Sequence, residues 1–160
     1  MFKKGISSAI AITAIAAGLA GAVVSAEAQE RIRWKLHTAW GSSLPHLGTS
    51  AIRFSKNIER MSGGEFTMKT FEPGALVPAN EGFDATSKGS IEAAWSTAGY
   101  DVGKVPALAF FTAVPFGPSI GEFLAWKMFG GGNEIQQEIY ASHNIHQMDC
   151  LAIGPETSAC

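Results

Sequence analysis

The sequence predicts an α/β fold: an open sheet of parallel strands with flanking helices. Two observations carry this reading. Alternating apolar and polar residues over 31–38 mark a strand, and helix-spaced apolar residues follow it directly. The same strand–helix succession then repeats, reaching a third strand near residue 95. Helices that alternate with strands act as crossovers, and crossovers join parallel strands.

Each element has its own signature. In Arg31–Thr38, Ile32, Trp34 and Leu36 share one face and Arg33, Lys35 and His37 the other, as in a half-buried strand. Trp40-Gly41-Ser42-Ser43-Leu44-Pro45 reads as a strand-to-helix loop, with Ser43 as the cap and Pro45 in the first turn. Leu47, Ala51, Phe54, Ile58 and Met61 recur at steps of four and three and mark one helix face, and Gly63-Gly64 stops that helix. Phe66–Phe71 is the second strand, ended by Glu72-Pro73-Gly74. A short helix over Asn80–Lys88 closes at Gly89, and Ile91–Thr97 is the third strand. Open α/β sheets bind ligands outside the carboxyl ends of their strands. The loops at Trp40–Ser43, Phe71–Pro73 and Ala98–Tyr100 belong to that edge.

Val105–Pro118 carries no charge and holds three prolines, which argue against one long helix. It is shorter than the roughly 20 apolar residues that span a bilayer. The stretch reads as a buried connection with extended pieces, ending in a turn at Phe116-Gly117-Pro118. It is either ordinary core or the wall of a ligand cleft. Ile120–Phe129 is a helix, broken by Gly130-Gly131-Gly132. Asn133, with Gln136 three residues on, caps a further helix whose apolar face holds Ile135 and Ile139 and which ends at His143-Asn144. Ile145–Ile153 reads as another strand, followed by the loop Gly154–Ser158.

Composition sets outer limits. Hydrophobic residues make up 46 % and charged residues 16 %, so the chain is globular. The net charge of −2, with no basic block, argues against nucleic acid as a partner. Lys3 and Lys4, the apolar run Ile6–Val24 and small residues up to Ala28 read as a secretory signal peptide over 1–28, with an uncleaved anchor as the rival reading. Residues 29–160 are then an exported, mildly acidic chain. Its two cysteines are Cys150 and Cys160; export permits a disulfide between them, but Cys150 reads as free and partly buried rather than bridged.

Catalytic and metal motifs are weak. The three glycines lack the Lys-Ser/Thr of a phosphate loop and follow a helix rather than a strand. His143 and His146 lack further ligands at metal-site spacing and fit a solvated helix end. His37 and His46 flank the first loop and read as surface residues that could touch a ligand. No nucleophile elbow is present. Trp40, Tyr100 and Phe116 stand apart, because each lies in or beside a loop at the ligand edge, where aromatic walls suit a small-molecule pocket. Trp40 and Phe116 fit core packing equally well. Glu156 in Gly-Pro-Glu-Thr-Ser is either an ordinary surface acid or a carboxylate for a cation or ligand.

These residues, taken in order, resemble the solute-binding proteins of TRAP transporters. The resemblance runs through Ile32–Pro45, Phe71-Glu72-Pro73-Gly74-Ala75-Leu76-Val77-Pro78, Gly89-Ser90-Ile91-Glu92-Ala93-Ala94 and Val114-Pro115-Phe116-Gly117. Its sharpest part is Gly130-Gly131-Gly132-Asn133-Glu134-Ile135-Gln136-Gln137-Glu138-Ile139-Tyr140, which is similar to the branch that binds 2-oxo acids, lactate and related monocarboxylates. The resemblance implies a periplasmic receptor, not an enzyme. It captures an organic anion for a TRAP membrane permease, with no required cofactor, a bound sodium or calcium ion in some members, and a homodimer in the complete protein. It also implies a periplasmic-binding-protein-like fold of two lobes closing on the ligand, with residues 29–160 as an apparently truncated first lobe. Trp40, Tyr100 and Phe116 would line the cleft, and Glu156 would fall at a polar ligand or cation position. Two departures stand out: the Gly-Gly-Trp that usually follows the Glu156 position is absent, and so is the arginine that pairs a substrate carboxylate. Two alternatives from other classes are an exported enzyme and a small interaction module.

Overall fold

The computed structural model describes residues 31–150; the predicted signal peptide, Glu156 and Cys160 lie outside the described residues. Three strands form one parallel sheet: β1 (Ile32–Thr38), β2 (Phe66–Phe71) and β3 (Ala93–Trp95). Their order is β2-β1-β3, so the first strand is central. The register pairs His37 with Phe71 on one side and with Ala94 on the other. The expected open α/β architecture is present, with β3 shorter than the Ile91–Thr97 run suggested.

Helix α1 (Leu47–Met61) crosses from β1 to β2. It packs Phe54 against Trp95, with ring centroids 5.7 Å apart, and accepts a 2.9 Å hydrogen bond from the Trp95 indole at the Leu47 carbonyl. Helix α2 (Gly82–Ser87) connects β2 to β3 and approaches the opposite face, where Gly82 abuts His37 and Ala94. One helix on each face follows from the strand order. The chain moves from β1 to β2 on one side, then crosses to β3 on the other.

The ends of α1 differ from expectation at one point. His46, not Ser43, occupies the N-cap, with φ of 63°, and Pro45 stands before the helix. Thr49 accepts the His46 backbone N–H at 3.1 Å, so a hydroxyl one turn inside the helix satisfies the cap backbone. At the other end Gly63 and Gly64 both adopt positive φ, and the Gly64 N–H closes on the Glu59 carbonyl at 2.8 Å.

The alternation predicted for β1 holds only in part. Leu36 is buried, but Ile32 and Trp34 are 47 % and 40 % exposed. His37, expected at the surface, is fully buried. The cause is coverage: the helices clothe both faces at the carboxyl half of β1 and leave its amino half more open, where Trp34 and Phe66 pack edge to face.

After β3 the chain makes two short 3-10 helices, Ala98–Asp101 and Pro106–Phe111, then α3 (Ile120–Phe129) and α4 (Gly132–Ala141). Val105–Pro118 is therefore not extended in its first half. Pro106 begins a 3-10 turn that buries Leu108 completely beside Phe83, Ala98 and Tyr140. Its second half is open: Phe116 sits in a turn with φ of 57° and is fully exposed, which removes the core reading for that side chain. Ser119 and Glu122 form a capping box that starts α3. Gly131, rather than Asn133, is the N-cap of α4. The apolar face expected at Ile135 is half open, and the helix instead buries Gln136 and Tyr140. Residues 145–150 form no strand, so that part of the predicted Ile145–Ile153 strand is absent; 151–153 lie outside the described residues. Cys150 is free, and it is exposed rather than partly buried, because no strand forms here to cover it. No described helix is long and apolar enough to cross a membrane.

The tightest joint lies beneath the first loop. A Cβ on Gly48 would stand 1.9 Å from the Gly41 carbonyl oxygen, so only glycine lets α1 sit this close to the end of β1. Gly48→Ala is expected to lower stability by about 3 kcal/mol or more, at the upper end of overpacking costs. Gly103→Ala, with open space around it, is the control. Denaturant midpoints of the two variants check this.

Candidate functional site

All three strands run the same way, so their carboxyl ends share one edge. The strand order reverses at β1, which makes the gap between β1 and β3 the switch point where open α/β sheets hold ligands. The chain leaves β1 through Ala39 and Trp40 and leaves β3 toward Tyr100. Backbone and side-chain bonds fix both exits: the Ala39 N–H donates to the Trp95 carbonyl at 3.0 Å, and the Thr38 hydroxyl donates to the Phe71 carbonyl at 2.8 Å.

Trp40 and Tyr100 meet across this gap. The indole N–H donates to the tyrosine hydroxyl at 3.2 Å, and the rings are tilted with centroids 5.9 Å apart. Tyr100 keeps 47 % of its surface exposed, so the pair forms an accessible polar-edged aromatic wall. Phe116, grouped with them on the sequence, pairs with no other ring among the described residues. Glu156 lies outside the described residues.

Glu72 is a member that the sequence reading did not single out. It follows β2 directly, and its carboxylate accepts the Ser42 backbone N–H at 3.1 and 3.4 Å to its two oxygens. Hydrogen bonding from Ser42 holds its carboxyl below the ordinary value. Glu72 thus ties the first loop to the end of β2. The turn signal Glu-Pro-Gly was legible; its acceptor role depends on the register that brings β2 beside β1.

Two buried polar groups underlie the edge. The His37 imidazole reaches the Ala79 carbonyl through Nε2 at 3.4 Å, and its Nδ1 has no partner. Asp101, beside Tyr100 in the chain, is 5 % exposed. Burial pushes its carboxyl up to about 6; Lys104 opposes the rise and Asp84 adds to it. Lys104 lies 3.9 Å from Asp101 but 2.7 Å from Asp84, so its charge is shared, chiefly with Asp84.

The uncharged stretch after Tyr100 lines a separate feature. Phe110, Phe111, Phe123, Trp126, Ile135 and Ile139 border an apolar groove of about 340 Å³ between the second 3-10 helix, α3 and α4. Phe111 and Trp126 stack with centroids 5.4 Å apart along it. His143 lies edge-on to Phe83 at 5.2 Å rather than facing water alone. Among the described residues no group of three His, Cys, Asp or Glu side chains could hold a metal ion.

Comparison with known proteins adds to this geometry. Residues 37–159 match the family model DctP, bacterial extracellular solute-binding protein, family 7. A monocarboxylate 2-oxoacid-binding periplasmic protein of Nostoc sp. is 35 % identical over 126 residues, 78 % of this chain and 34 % of that protein. A TRAP transporter solute-binding protein from Bordetella bronchiseptica, with calcium and picolinate in its active site, matches with a TM-score of 0.66 at 34 % identity over 72 % of this chain and 34 % of that one. One from Pseudoalteromonas atlantica, with bound sodium and pyruvate, matches with a TM-score of 0.67 at 32 % identity over 71 % of this chain and 34 % of that one. The chain spans about a third of the length of these relatives.

The raised Asp101 carboxyl has a defined consequence for pH. The folded protein holds the proton up to about pH 6, whereas the unfolded chain releases it near the ordinary 3.8. Between those values the folded state binds more protons, so this group lowers stability as pH rises, and the full cost is present above pH 6. Asp101→Asn removes the cost. Its denaturant midpoint is expected to exceed that of the unaltered protein at pH 7.5 and to match it near pH 4.

Proposed function

The chain belongs to the bacterial extracellular solute-binding proteins of family 7, and from that membership we propose that it contributes one wall of a receptor site for a small organic anion, a 2-oxo acid or a similar monocarboxylate. The observation that carries this is the Trp40–Tyr100 pair spanning the switch point of the sheet. An aromatic wall with a hydroxyl at its rim can pack the carbon skeleton of a short acid and hydrogen-bond its oxygens. Tyr100 and Trp40 are the ligand-facing residues of this reading. Phe116 and Glu156 stay as further candidates, Phe116 because an exposed aromatic is available to cover a ligand.

The relatives that hold calcium or sodium beside their ligands favour a cation in the complete site. The described residues do not assemble a cluster fit to bind one. Glu156 is the candidate carboxylate for that cation in this reading. We read the chain as a binding protein rather than a catalyst. It would work in the periplasm after removal of residues 1–28 and pass its ligand to a TRAP permease, with residues 29–160 as one lobe and a homodimer as its assembly.

A one-sided site binds weakly, because a wall that meets only half of a ligand leaves the rest in water. Isothermal titration of the chain with pyruvate and lactate is expected to show millimolar affinity. Extension with the downstream part of the Nostoc relative should tighten it at least about tenfold, as burial of the second face adds contacts. No heat from either protein with any short organic acid would overturn the substrate class.

A further inference from the structure

Trp40 has a task distinct from lining the site. Its indole nitrogen is a donor only, and it points at Tyr100. A phenol hydroxyl can donate or accept, and its proton ordinarily rotates to suit the partner. With a lone pair occupied by the Trp40 N–H, the Tyr100 hydroxyl keeps its proton directed away from the indole. Tyr100 is 47 % exposed, so the residue is open to a ligand.

We propose that Trp40 is a positioning residue that commits the Tyr100 hydroxyl as a hydrogen-bond donor and so selects ligands with an acceptor group, a carboxylate or keto oxygen, at this point. This rests on the reading of the site given above. Its chemistry is a bias of orientation. Without the indole donor, the hydroxyl turns freely, spends part of its time bonded to water in the accepting sense, and loses some of its preference for an anion. The backbone supports such a fixed role. Trp40 follows Ala39, whose N–H is held by the Trp95 carbonyl, and Gly41 next to it is clamped by Gly48. The donor is therefore mounted on a rigid loop, and the rim hydroxyl adapts to it.

The test is a double-mutant cycle in the full chain, with pyruvate as the probe at millimolar concentration and affinity read by NMR titration. The indole N–H signals of Trp34 and Trp126, away from the site, report whether each variant keeps the fold. Tyr100→Phe is expected to weaken pyruvate about tenfold, the scale of one hydrogen bond to a charged group. Trp40→Phe retains an aromatic ring and is expected to weaken it about fivefold. The double variant should be no weaker than Tyr100→Phe alone, because Trp40 acts through the hydroxyl. In the unliganded chain, Tyr100→Phe should also move the Trp40 indole proton signal upfield. If Trp40→Phe binds pyruvate like the unaltered chain, or if the two losses multiply, the positioning role is overturned while the site stands. If Tyr100→Phe costs nothing, or the unaltered chain does not respond to pyruvate, the site reading itself fails and the inference with it.

Discussion

The parallel pairing of β1 with β2 on one side and β3 on the other is the constraint on which the rest of the described unit depends. Parallel strands need crossovers, and a strand paired on both sides needs them on opposite faces. That requirement places α1 against Trp95 and α2 against His37. It also sends the exits of all three strands to one edge. The register is held firmly there. A slip of one residue would carry His37 and Leu36 to exchanged faces and set an imidazole against α1.

The close fit at this edge relies on small groups where helices meet strands. Gly48 lets α1 touch the Gly41 carbonyl, and Gly82 lets α2 lie on the His37 ring. Farther along the chain the fit depends on charge instead. Lys127 is 3 % exposed, bonds to Gln136 across the α3–α4 pair, and makes a 2.9 Å ion pair with Asp149. A buried ammonium is tolerated only when its hydrogen bonds are met. The Lys127–Gln136–Asp149 set therefore pins residues 147–150 to the helix pair as well as satisfying the lysine. On the outer side of α3, Leu124, Met128 and Phe129 stay exposed.

Local signals carried most of the fold into the sequence. The limits of β2 and α3 were legible to the residue, because glycine and proline punctuate the chain at their ends. The two-faced burial of β1 was not. Alternation in Ile32–His37 describes a strand with one wet face, but α2, arriving from forty residues on, dries the other face at His37. The first half of Val105–Pro118 misled for a related reason. Its prolines exclude a long α-helix but accept a 3-10 turn, which needs only one good start at Pro106. The cap of α4 fell to Gly131 rather than Asn133 because a positive-φ glycine turns the chain sharply between α3 and α4 before any side-chain cap is needed.

The site was legible as a set of loops and illegible as a geometry. Trp40 and Tyr100 were each marked by their place after a strand, yet sixty residues separate them, and no spacing rule joins residues that far apart. What joins them is the strand order, since β1 and β3 are neighbours only when the second strand goes to the other side. That logic does not extend to Phe116. It follows a 3-10 helix rather than a strand, so the strand order says nothing of its place, and it stands in water on a strained turn. A fully exposed phenylalanine with positive φ gains nothing from burial in this unit. It keeps its position only because the turn between Val114 and Gly117, closed by a 3.0 Å backbone bond, dictates it. An aromatic held by backbone alone is free to meet a surface, whereas Trp40, held by its own hydrogen bond, already has one.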